Sequence, residues 1–77
     1  MAIIRSISVD SVRVNQKKLR KLSRVKIADF VRAYERGDAF MPILVEDNGN
    51  FYTIREGRHR FQAQLLAGYH SIEVELY

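Results

Sequence analysis

From Phe51 to Gly68 the chain reads Phe-Tyr-Thr-Ile-Arg-Glu-Gly-Arg-His-Arg-Phe-Gln-Ala-Gln-Leu-Leu-Ala-Gly, a stretch that fixes one local order of structure: strand, tight turn, helix. Phe51 to Arg55 is rich in aromatic and β-branched residues, as strands are. Gly57 permits the backbone geometry of the turn, the residues from Arg58 onward suit a helix, and Gly68 is placed to end it in a left-handed cap. The first turn of such a helix carries unpaired N–H groups and a partial positive charge. Arg58, His59 and Arg60 add cationic or potentially cationic groups at the same end, where the helix dipole prefers acids. A bound phosphate would relieve that conflict by accepting from backbone and guanidinium groups together. The alternative is a solvated helix end with surface arginines, and these residues alone leave both readings open.

The rest of the chain supplies one small frame for this unit. With 77 residues it forms one domain, residues 1–77, with one modest core. Hydrophobic residues make up 47% of it, enough for a packed interior and against global disorder. Cysteine is absent, which excludes disulfides, thiolate metal sites and thiol catalysis. No segment has the length or apolarity to span a bilayer and no leader pattern opens the chain, so the expectation is a cytoplasmic protein with no membrane partner. The net charge of +4 favours polyanionic partners without naming one.

Ile3 to Val14 alternates as a half-buried strand to about Asp10, followed by a turn or a second short extended piece. Arg13, Lys17, Lys18, Arg20, Lys21, Arg24 and Lys26 then form a run without an acid. Such a density of like charge is offset by salt or by an anionic partner, so Lys17, Lys18, Arg20, Lys21 and Arg24 are candidate nucleic-acid contacts. No aromatic residue interleaves them, which favours backbone contact over base stacking. Leu19 and Leu22 suffice to tack a short helical turn to the body.

Ser23 to Arg36 is a helix with Ser23 as N-cap, Gly37 as its stop, and an apolar stripe of Ile27, Phe30, Val31 and Tyr34 assigned to the core. Phe40 or Met41 covers the core's edge, Pro42 opens a strand over Ile43 to Glu46, and Asp47-Asn48-Gly49-Asn50 turns it back antiparallel onto Phe51 to Arg55. Phe61, Leu65 and Leu66 form the sheet-packing face of the second helix. Ile72 to Leu76 is a last half-buried strand with Glu73 and Glu75 outward. The fold class is α/β (α+β), a small mixed sheet with two main helices.

Glu56-Gly57-Arg58-His59-Arg60-Phe61-Gln62-Ala63, then Leu65-Leu66-Ala67-Gly68-Tyr69 and Ile72-Glu73-Val74, resembles the Gly-x-x-Arg box of the ParB/sulfiredoxin superfamily, with the Ala-Gly and final strand that follow it. The resemblance extends back through Phe30 to Gly37 and Pro42-Ile43-Leu44-Val45, so it covers most of the chain. It implies a stand-alone ParB-like domain, ParB/sulfiredoxin in fold, from a phage, plasmid or bacterium. Its phosphate-binding residues would be Gly57, Arg58, His59 and Arg60. CTP or ATP with Mg²⁺ is the cofactor it suggests, with Asn15-Gln16 in a loop near the nucleotide; magnesium carried in with a nucleotide needs only one or two protein oxygens, for which Glu56 or Asn15 are the candidates.

The departures matter as much. The position matching Arg58 is the reactive cysteine in sulfiredoxins, so this chain cannot run that chemistry. Partition-type ParB proteins resemble Gly-Glu-Arg-Arg here; Arg58 replaces the glutamate and His59 the first arginine, leaving Gly57 and Arg60 as direct matches. Phosphate binding survives that comparison better than hydrolysis. Three functions follow: a module binding nucleotide phosphate or nucleic-acid backbone; a protein-interaction module, a modulator of an acidic host protein that has lost the nucleotide; and a nuclease or nucleotide triphosphatase. No catalytic residue and no protein-built metal site is assigned, and a homodimer is left open.

Overall fold

Period-two alternation and a few turn residues build most of the sheet. A computed structural model describes residues 2–77; Met1, counted above in the single domain, lies outside the described residues. Strand β1 (Ile4–Ser8) ends at Ser8, whose hydroxyl caps a 3₁₀ turn over Val9–Ser11, and β2 (Val12–Arg13) is the second extended piece. Helix α1 (Gln16–Arg20) follows, then α2 (Arg24–Glu35), β3 (Ile43–Asp47), β4 (Tyr52–Glu56), α3 (Arg58–Leu66) and β5 (Ser71–Leu76).

The strands form one mixed sheet in the order β1-β5-β3-β4-β2. The pairs β1/β5 and β3/β4 are antiparallel, while β3/β5 and β2/β4 are parallel. Ile7, Ile43, Val45, Ile54, Phe61, Ile72 and Val74 make the buried core, six of them from strands and Phe61 from α3. The sequence-based fold class holds: the described residues form an α+β fold with a five-stranded sheet, two main helices and one short one. No helix among the described residues is long and apolar enough to cross a membrane.

Two packing assignments are corrected by the helix layer. Helix α2 packs chiefly on α3 rather than on the sheet, so of its apolar stripe only Tyr34 is buried, beside Ala33; Ile27, Phe30 and Val31 stay half-buried. Helix α3 lies between α2 and β3, and its buried arc runs through Phe61, Gln64 and Ala63. Leu65 and Leu66 fall outside that arc and are exposed, contrary to the face assigned to them. Phe40 packs edge-on against Phe30 and Tyr34, with centroids 5.3 and 5.2 Å apart, while remaining 41% exposed; Met41 is 80% exposed.

Candidate functional site

Strand β4 runs into Gly57, which caps α3 at φ 107°, ψ 28°, in the left-handed region. A β-carbon there would stand 3.2 and 3.3 Å from the Ile43 side chain and 3.0 Å from the Arg60 guanidinium. Glycine is therefore required twice, by backbone sign and by the close approach of β3. Having no side chain, it also leaves α3 without a side-chain cap. The N–H groups of the first turn, Arg58 to Arg60, have no carbonyl of their own helix to bond, while Phe61 N–H closes the first helical bond onto Gly57 at 2.9 Å.

The flanking side chains converge on this turn. The Arg60 guanidinium donates to the Met41 carbonyl just before β3, which ties the first turn of α3 to the segment leading into that strand. Arg58 reaches back to the Ile54 carbonyl at a long 3.5 Å. His59 is placed by a bond that spacing does not reveal: Ser23 N–H donates to its Nε2 at 3.1 Å. In this contact Nε2 is the acceptor, which leaves Nδ1 as the ring's other hydrogen-bonding atom. Ser23 is at the same time the N-cap of α2, its hydroxyl accepting from Lys26 N–H at 3.3 Å, so one residue ties the starts of α2 and α3 together. The Tyr34 phenol is pushed above its usual value by burial, with the nearby Arg60 charge pulling the other way.

Three clefts meet around these residues. One of about 270 Å³ is lined by Leu22, Phe30, Glu56 and the whole run Gly57 to Arg60. A second, about 520 Å³, shares Phe30 and His59 with it and adds Lys26, Asp29, Ala33 and Phe40. The third, about 130 Å³, lies on the other side of Arg58 and includes Asn15, Lys18 and Thr53. The parallel pairing of β2 with β4 sends Asn15, which caps α1, and Gly57, which caps α3, beyond the carboxyl ends of neighbouring strands. Open α/β sheets place ligands at such ends.

Gly57, Arg58, His59 and Arg60 are thus brought to one cleft, and Glu56 with them. Asn15 borders only the cleft behind Arg58, and its side-chain oxygen accepts from Lys17 N–H at 2.9 Å. Among the described residues no three His, Asp or Glu side chains gather as a metal-binding group. Lys17, Lys18 and Arg20 lie on α1, Lys21 caps it, and Arg24 opens α2; all are exposed, and none joins an ion pair among the described residues. The sequence reading missed Lys26, Asp29, Phe30 and Phe40 as cleft residues. They come from α2 and the loop after it, and only the packing of α2 on α3 carries them to His59.

Residues 1–76 match the model of the ParB N-terminal domain. The chain belongs to that family. No curated protein matches it in sequence. Among solved structures it is similar to sulfiredoxin from Arabidopsis thaliana, with a TM-score of 0.84 at 19% identity over 97% of this chain and 84% of that one. It is also similar to the C-terminally truncated chromosome-partitioning protein ParB from Caulobacter crescentus complexed with CTP-gamma-S, with a TM-score of 0.77 and 22% identity over 96% of this chain. A Pnob8-like ParB-N domain gives a TM-score of 0.73 at 10% identity over 100% of this chain. This ParB N-terminal domain spans 43% and 29% of those two ParB chains. At such identities the structural likeness establishes the ParB/sulfiredoxin fold.

Proposed function

We propose that this ParB-like domain binds the phosphates of a nucleotide at the Gly57–Arg60 turn. The observation that carries the reading is the uncapped, glycine-started α3 with Arg58, His59 and Arg60 on its first turn at one cleft. A phosphate there takes up orphan N–H groups and offsets the cationic charge that otherwise opposes the helix dipole. The neighbouring cleft suits the remainder of a nucleotide: Phe30 and Phe40 offer ring surface to a base, Lys26 a further cation, and Asp29 an acceptor for hydroxyls. Lys17, Lys18, Arg20, Lys21 and Arg24 extend the positive field that draws in a polyphosphate or a nucleic-acid backbone.

CTP is the first nucleotide to test, because a Caulobacter relative of the same fold is seen with CTP-gamma-S, and ATP with Mg²⁺ is the second. Calorimetric titration of the whole chain with each nucleotide and with short duplex DNA tests the reading. Saturable CTP binding is expected. Arg60→Ala removes charge-assisted bonds worth about 1.5–3 kcal/mol, hence a loss of roughly ten- to a hundredfold in affinity, with the circular dichroism unchanged. Equal affinity in a folded Arg60→Ala variant overturns the assignment.

A further inference from the structure

A larger concavity adjoins the cleft at that turn, sharing Leu22 with it, and lies on the α1 side of α2. It is a groove of about 680 Å³ between α1, α2 and α3. Its floor includes Leu19, Ile27, Val31 and Leu66; the first three are half-buried and Leu66 is 63% exposed. Ile27 and Val31 belong to the stripe assigned to the core, and α1, being only five residues long, leaves them half-buried. Arg20, Arg24 and Arg32 line the same groove, and no acidic residue does. Arg32 is partnered by Asp29, while Arg20 and Arg24 have no ion-pair partner among the described residues.

We infer that this groove seats the apolar face of an acidic amphipathic helix from a partner protein. An apolar trough with a cationic rim matches, in shape and charge, a helix with leucine-like anchors on one face and carboxylates beside them. A nucleic-acid backbone satisfies the rim but offers nothing to the floor, which distinguishes this surface from the phosphate site. A second copy of the chain lacks the required element: α1 and α3 carry no acid, α2 carries only Asp29 and Glu35, and Glu73 and Glu75 lie on a strand. Arginines at the edge of an apolar seat are also the side chains that dominate interface energies, because they keep planar donors where water is excluded.

The test uses the whole chain and a synthetic peptide of about 20 residues with Leu at i, i+3, i+4 and i+7 positions and Glu elsewhere. A shuffled peptide of the same composition and a short DNA duplex are the controls. Binding is followed by calorimetry and by amide chemical-shift mapping. The patterned peptide is expected to saturate and to shift Leu19, Ile27, Val31 and Leu66, with the shuffled peptide at least about tenfold weaker. Leu66→Glu, at an exposed position that the fold does not need, weakens the patterned peptide by about tenfold or more and leaves CTP affinity unchanged. Arg24→Glu weakens it similarly and should fold, since an acid at the start of α2 suits its dipole. Equal binding of both peptides, DNA shifting the same floor residues, or no saturation up to about 1 mM peptide overturns the proposal.

Discussion

Gly57 shows how a single residue joins fold and function here. Its positive φ turns β4 into α3, and its missing β-carbon lets Ile43 and the Arg60 guanidinium close on the turn. Gly57→Ala should therefore cost about 1–3 kcal/mol of stability, from left-handed strain and the Ile43 contact, and weaken nucleotide binding by moving the first turn. Urea unfolding measures the first effect and calorimetry the second; an alanine variant of unchanged midpoint would mean that the turn can relax. The glycine was legible in the sequence because no other residue there ends a strand and starts a helix so abruptly. The partner of His59 was not, since Ser23 is 36 residues away and the bond goes to its backbone N–H, which every residue but proline carries.

Among the elements, the strands and the hairpin follow the pattern in the sequence closely, because alternation and an Asn-Gly turn are local devices. Strand β3 begins after Pro42 and pairs antiparallel with β4, as that pattern requires. The helices show the limit of periodicity: it finds an apolar face but not what lies against it. The stripe of α2 meets α3 instead of the sheet, so its burial is partial, and the same displacement creates the clefts that no spacing predicts. Tyr34 is the part of the stripe that is buried, and its phenol is held above the ordinary value near 10 by desolvation. Above pH 10 the unfolded chain loses this proton while the folded chain retains it, so the unfolded state binds fewer protons and stability falls as pH rises. Tyr34→Phe, which keeps the ring packed against Phe40 and Tyr69, should remove that part of the alkaline loss. Denaturant midpoints for both proteins between pH 8 and 11 check it; parallel curves would assign the loss to other groups. Ser23→Ala deletes the hydroxyl cap of α2 and should lower stability by about 0.5–2 kcal/mol, leaving the Ser23 N–H to His59 bond intact.

On the scale of the whole molecule, a chain of 77 residues without a disulfide rests on a small core and has little stability in reserve. That makes its melting temperature a sensitive reporter of anything that binds the folded form alone. Ligand at about 100 times its dissociation constant adds about 2.7 kcal/mol. A domain of this size shifts by about 4–8 °C per kcal/mol, so CTP with Mg²⁺ should raise the melting temperature by roughly 10–20 °C. A tenfold loss of affinity in Arg60→Ala halves the stabilisation at the same concentration, because the term is logarithmic. Leu66→Glu, in the adjoining groove and outside the lining of the cleft at the turn, should show the full shift. The pattern across the three proteins separates the two surfaces: a shift preserved in Arg60→Ala removes the nucleotide from the α3 turn, while one reduced in Leu66→Glu joins the groove to the nucleotide site.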